Sequence, residues 1–116
     1  MKYLEAENFQ LGMDHQSVGY TLLKNWNIPE SICEMVKYHH TPNLSSNTKI
    51  LTSIIHLADY MTQKLQLAKF NWDDDLEFSK EASEILQLKE AEELEKFISM
   101  YHEPILLQID SLRYLI

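Results

Sequence analysis

Five histidines (His15, His39, His40, His56 and His102) and the aspartates Asp14 and Asp59 are the side chains of this sequence that invite chemistry. Neutral imidazole and carboxylate are the ligands that divalent transition metals take, and four of the five histidines fall within the first 56 residues. His56 and Asp59 share one face of any helix that spans them. His39 and His40 close one expected helix and His15 opens another, and the ends of neighbouring helices often meet. The same residues have a plainer reading. A histidine at a helix C-terminus is favoured by the dipole alone, and His15 suits packing or a hydrogen bond at a helix start. Other chemistry is thin. Cys33 reads as a small core residue on or near an apolar helix face. Asp73-Asp74-Asp75 lacks the further ligands and the glycine of a calcium loop and reads as a solvated turn, and His102 reads as surface or rim. No P-loop, nucleophile elbow or paired zinc motif is present.

The elements that must carry these residues are helical. In 116 residues there are only 2 glycines and 3 prolines, so turn formers are scarce. Hydrophobic residues at 45% and charged residues at 24% give a globular balance for one domain. The reading predicts helices over about 2–10, 15–26, 29–39, 48–66, 80–87 and 89–114. Gly12 closes the first, Asp14 caps the second, and Pro29 opens the third at a first helical position. Thr41-Pro42 ends the third, and 43–47 is a polar loop whose Asn47 caps the fourth. Val18, Leu22 and Trp26 share one face of the second helix, in which Gly19 marks a close helix contact. Ile32, Met35, Val36 and His39 are expected to point inward from the third. In the fourth, Ile50, Ile54, Leu57, Ala58, Met61 and Leu65 are expected to fill the core face. Thr52, His56, Asp59 and Gln63 run down its other side. Residues 67–78 form a loop holding Trp72, Ser79 caps the fifth helix, and Pro104 is expected to kink or split the sixth.

Charge and the single cysteine narrow the function classes. The net charge of −8 comes from residues 73–116, with twelve acidic and four basic groups, while residues 1–72 balance at six and six. Such a surface repels phosphate, so no nucleic-acid partner and no anionic membrane partner is expected. One cysteine allows neither an internal disulfide nor a CxxC zinc site. No apolar run reaches ~18 residues and no signal-like start is present, so a soluble, cytoplasmic protein is expected.

The order of the pieces resembles a known family. Leu11-Gly12-Met13-Asp14-His15, Val18-Gly19, Trp26, Ile28-Pro29-Glu30, His39-His40-Thr41-Pro42 and Leu57-Ala58-Asp59 are similar, in this order, to the HD-related output domain family, HDOD. That family is a branch of the helical HD phosphohydrolase superfamily. The motifs cover about residues 5–66, and 67–116 are similar only in helical pattern. The resemblance implies an all-α fold, an HD-domain-like helical bundle of about five to six helices. Residues 1–116 would form one helical domain similar to the C-terminal part of an HDOD domain, with acidic C-terminal helices at 79–116. It also implies a non-catalytic signalling or scaffold module of bacterial cytoplasm that works through protein contacts.

Catalytic relatives bind metal through an early His, a His-Asp pair and a late Asp. Asp59 is similar to that late Asp, and His39-His40 and His15 resemble ligands of the HD-GYP subgroup. The early His and the His-Asp pair would precede Met1. After His40 this sequence reads Thr-Pro-Asn-Leu-Ser-Ser where HD-GYP proteins carry Glu and Asp-Gly-x-Gly-Tyr-Pro. Both departures argue against cyclic di-GMP hydrolysis. His15, His39, His40 and Asp59, with His56 a lesser member, are therefore read as a polar cluster that locks helix ends, with no cofactor expected. The alternative is a metal-dependent HD-type phosphohydrolase, holding Mn, Fe or Zn at these residues. A third reading gives the acidic C-terminal half a basic protein partner. The expected assembly is a homo-oligomer or the remainder of a longer chain, with residues 89–116 the first choice of contact surface.

Overall fold

The structure is a computed structural model that describes residues 3–65, 77–88 and 90–113. Among the described residues six α-helices follow one another: α1 (Tyr3–Leu11), α2 (His15–Asn25), α3 (Glu30–Tyr38), α4 (Lys49–Lys64), α5 (Lys80–Ile85) and α6 (Ala91–Arg113). A short 3-10 turn, Pro42–Leu44, stands between α3 and α4. There is no strand among the described residues, and the fold is all-α as expected. The expected loop at 67–78, with Trp72 and the Asp73 run, lies outside the described residues up to position 76.

Local chemistry explains where the helices begin and end. Gly12 sits at φ +71° directly after α1, a conformation open to glycine at little cost, and its N–H donates to Asn8 O at 3.0 Å. The Asp14 carboxylate accepts the Ser17 N–H at 3.0 Å and caps α2. Ser79 caps α5 in the same way by accepting from Ala82 N. Two helix starts differ from expectation. Pro29 is the cap of α3 and not its first helical residue, and Thr48, not Asn47, precedes α4, without a side-chain cap bond. Pro104 does not split α6: the helix runs through it, and the exposed position leaves the unbonded carbonyl one turn back to solvent.

α3 packs against both α2 and α4, and α5 packs against α4 and the 3-10 turn. At Gly19 α2 comes close to α3, since a Cβ there would lie 2.7 Å from Val36 Cγ1. The apolar cluster joins α4 to α6: Leu57, Met61 and Ile98 are buried, with Phe78, Leu94 and Phe97 packed around them.

The inward faces differ most from the reading of the periodicity. In α3 the buried residues are Cys33 and Glu34, while Ile32 is exposed. In α4 they are Thr52, Ser53, His56, Leu57 and Met61, so only Leu57 and Met61 of the expected core face are buried. Ile50 is 63% exposed and Ile54 46%. Val18, Leu22 and Trp26 also face outward. The physical reason is satisfied polarity. Ser45, Thr48 and Thr52 link their hydroxyls at 2.8 to 3.3 Å. Oε1 of buried Glu34 accepts from Ser46 N at 2.5 Å, Ser46 Oγ at 3.0 Å and Ser45 Oγ at 3.2 Å. Paired polar groups are buried without the penalty that a lone polar group brings, and in α4 the buried side-chain atoms without a partner, among the described residues, are Ser53 Oγ and Gln63 Oε1.

Candidate functional site

His15 is the first residue of α2, held there by the Asp14 cap. His39 caps the C-terminus of α3 and His40 follows it. Because α2 and α3 are joined by a tight turn through Asn27, at φ +57°, the start of α2 returns beside the end of α3. Gln16 fastens the two ends, its Oε1 accepting the His40 N–H at 2.9 Å. The three rings thereby converge. His15 Nε2 lies 3.1 Å from His39 Nε2 and 3.1 Å from His40 Nε2. One ligand nitrogen from each ring falls within 4.8 Å of the others.

Partners at the far side of two rings fix what these nitrogens present. His15 Nδ1 meets Glu7 Oε2 at 2.8 Å, and a carboxylate only accepts, so Nδ1 carries the proton. His39 Nδ1 lies 2.6 Å from Val36 O, which likewise only accepts. In the neutral rings both Nε2 atoms are then bare acceptors, facing each other at 3.1 Å with no proton between them. Such a pair is repulsive until a proton or a metal ion is shared between them. A spacing of 3.1 Å is also what two imidazole nitrogens adopt when each lies about 2.1 Å from one ion at an angle of about 95°. Carboxylate and carbonyl partners on Nδ1 are the usual second sphere of metal-bound histidine.

Burial favours the neutral form of His39 and His40. It is the main cause that pushes the His40 imidazolium down to about 3, with neighbouring His39 and His15 adding to the effect. Burial also lowers His39, opposed by the Val36 carbonyl. Asp59, on α4, brings Oδ2 to 3.8 Å from His40 Nε2, beyond direct hydrogen bonding and within reach of an ion-mediated contact.

A cavity of about 240 Å³ opens on the cluster, lined by Tyr3, Glu7, His15, His39, His40, Asp59 and Gln63. Among the described residues the lining holds two carboxylates and neither Lys nor Arg. Gln63 Oε1 is buried and accepts no hydrogen bond among the described residues, so an acceptor waits for a donor in this cavity.

His56 stands apart. It is 1% exposed, its Nδ1 donates to His39 O at 2.7 Å, and its Nε2 accepts the Ser79 N–H at 3.0 Å. With both nitrogens in use and Phe78 stacked on the ring, it ties α4 to the end of α3 and to the start of α5. His102 lies on α6, outside the cavity. The motif spacing brought His15, His39, His40 and Asp59 to one place. It missed Glu7, Tyr3 and Gln63. An acidic residue eight positions before His15, across a glycine stop, was the available signal for Glu7.

Comparison with known proteins bears on the stretch that builds most of this cluster. Residues 1–42 match the HDOD domain family model. The match agrees with the resemblance carried by the motifs, and it takes in His15, His39 and His40 while ending before α4 with His56 and Asp59. No curated protein and no solved structure matches the chain. No helix among the described residues is long and apolar enough to cross a membrane.

Proposed function

We propose that this chain is a non-catalytic signalling or scaffold module of the HDOD type, acting through protein contacts. The observation that carries this reading is the lining of the histidine cavity, which among the described residues has two carboxylates and no cationic side chain. Phosphoryl-transfer sites stabilise a phosphate with Arg, Lys or several metal ions. Here a phosphate would meet Glu7 and Asp59 and, among the described residues, no positive wall. The wider acidic balance of the chain acts in the same sense.

The acceptor pair His15–His39 favours a second element within this reading, a bound divalent transition ion. His15, His39 and His40 would hold it, with Asp59 close by, and Glu7 and Val36 O would keep the imidazoles oriented. Such an ion supplies cohesion between α2, α3 and α4, and Lewis acidity toward any small ligand beside it. Gln63 Oε1 supports the fit, because it offers an acceptor to a water or hydroxyl-bearing ligand in the cavity.

Elemental analysis of protein purified without added metal, joined to hydrolysis assays on phosphodiesters with Mn, Fe or Zn, tests both parts. The expected result is up to one ion per chain, lost in His39→Ala, and no turnover. Hydrolysis that disappears in His39→Ala or Asp59→Ala overturns the non-catalytic reading. Protein that takes up none of the three metals overturns the ion.

A further inference from the structure

α1 supplies one wall of the histidine cavity. Tyr3 and Glu7 stand four residues apart on one face of that helix, and both line the cavity. Glu7 Oε2 accepts from His15 Nδ1 at 2.8 Å and from the His15 backbone N–H at 3.0 Å. The Tyr3 ring lies 6.3 Å from the His15 ring. No residue of α1 is buried, so these contacts act with little apolar burial behind them.

The three imidazoles are not held alike. His39 Nδ1 is tied to Val36 O on its own helix, and the His40 N–H is tied to Gln16. The His15 side chain is 41% exposed, and the oxygen that orients its ring belongs to α1. With neither proton nor metal shared, the Nε2 atoms of His15 and His39 repel at 3.1 Å. The empty cluster finds relief when the His15 ring swings away, and that motion breaks its bond to Glu7. A bound ion reverses the balance. At Nε2 it draws electron density from the ring and makes Nδ1–H a stronger donor to the carboxylate.

We propose that α1 is a latch whose docking reports whether the histidine cluster holds a divalent transition ion. The helix closes on the cavity when the ion is present and lets go when it is absent. This rests on the bound ion proposed above and adds the conformational change that the ion controls. Linkage sets the size of the effect. An outer-sphere carboxylate raises metal affinity about 10–100-fold, and coupling is reciprocal, so the ion favours the docked helix by about the same factor.

Hydrogen–deuterium exchange of the full chain tests the latch. The protein is stripped with a chelator, then loaded in turn with Zn, Mn or Fe(II), and the same samples go to elemental analysis. The expected result is a retained ion and α1 amides that exchange about 10–100-fold more slowly, with α6 amides unchanged. In Glu7→Ala, checked by circular dichroism, the ion should slow α1 exchange by less than about threefold. Its affinity should fall by the same factor as the protection that is lost. Retention of none of the three metals overturns the latch together with the bound ion. An ion that is retained while α1 exchanges as in stripped protein overturns the latch alone. Equal protection of α1 and α6, or full protection of α1 in Glu7→Ala, does the same.

Discussion

Oε2 of Glu7 accepts twice from His15, at 3.0 Å from its backbone N–H and at 2.8 Å from Nδ1. One carboxylate oxygen therefore both terminates the approach of α1 to α2 and decides which imidazole nitrogen faces the cavity. Glu7→Ala removes the tautomer lock at a side chain that is 14% exposed. Outer-sphere partners of this kind typically matter 10–100-fold in metal affinity, so titration calorimetry with Mn or Zn should show about that loss. Unchanged affinity would mean that the ion, if bound, does not depend on the orientation of His15.

Glu34 gives the clearest pH signature. Hydrogen bonds from Ser46, chiefly its backbone N–H, hold the carboxyl below its ordinary value of 4.5 against the opposing effect of burial. A carboxylate depressed in the folded state contributes stability that is complete above the unfolded value. That contribution is lost as the pH falls through the folded value. Denaturant melts should therefore show wild-type stability dropping as the pH falls below about 4.5, with Glu34→Gln less stable at neutral pH and flatter across the acid range. Parallel curves for the two proteins would sink this assignment.

His56→Ala should be the most damaging substitution of a single histidine. It empties a buried site and strips partners from His39 O and Ser79 N, two groups that the ring now satisfies. The expected cost is about 3 kcal/mol in urea unfolding, with the midpoint lowered and the slope unchanged. A loss below about 1 kcal/mol would show that water replaces the ring easily.

At Gly19 the helix contact itself is open to measurement. An added Cβ meets Val36 Cγ1 at 2.7 Å, and valine is stiff at χ1, so Gly19→Val should destabilise by about 2 kcal/mol despite the better helix propensity. Gly19→Ala combined with Val36→Ala should recover part of the cost of Gly19→Ala alone, a coupling that a double-mutant cycle reads directly.

The positions of the helices were legible because their stops are local: Gly12, the Asp14 cap, Thr41-Pro42 and the Ser79 cap each act within a few residues. Which side of a helix faces inward was less legible. In α4 the apolar count favours Ile50 and Ile54, yet Thr52 and His56 are buried because partners far along the chain, Ser45, His39 and Ser79, meet their polar atoms. Periodicity measures hydrophobicity and is blind to such pairing. The cluster was legible for the same reason as the helix ends: His15 and His39-His40 flank a short helical hairpin, which forces them together. Gln63 was assigned to the polar side of its helix, but its orphaned oxygen is a property of the assembled cavity alone.

α1 contributes no buried residue. Its contacts with the rest of the molecule are mostly polar: the Glu7 bonds to His15 and an Asn8 Nδ2 to Asp14 Oδ2 contact of 3.3 Å, beside a tilted ring contact of Tyr3 with His15. A segment fastened this way lacks the apolar burial that makes an element open only with the whole molecule. Its backbone amides should exchange with solvent deuterium through local detachment, long before those of α4, and each detachment bares one wall of the histidine cavity.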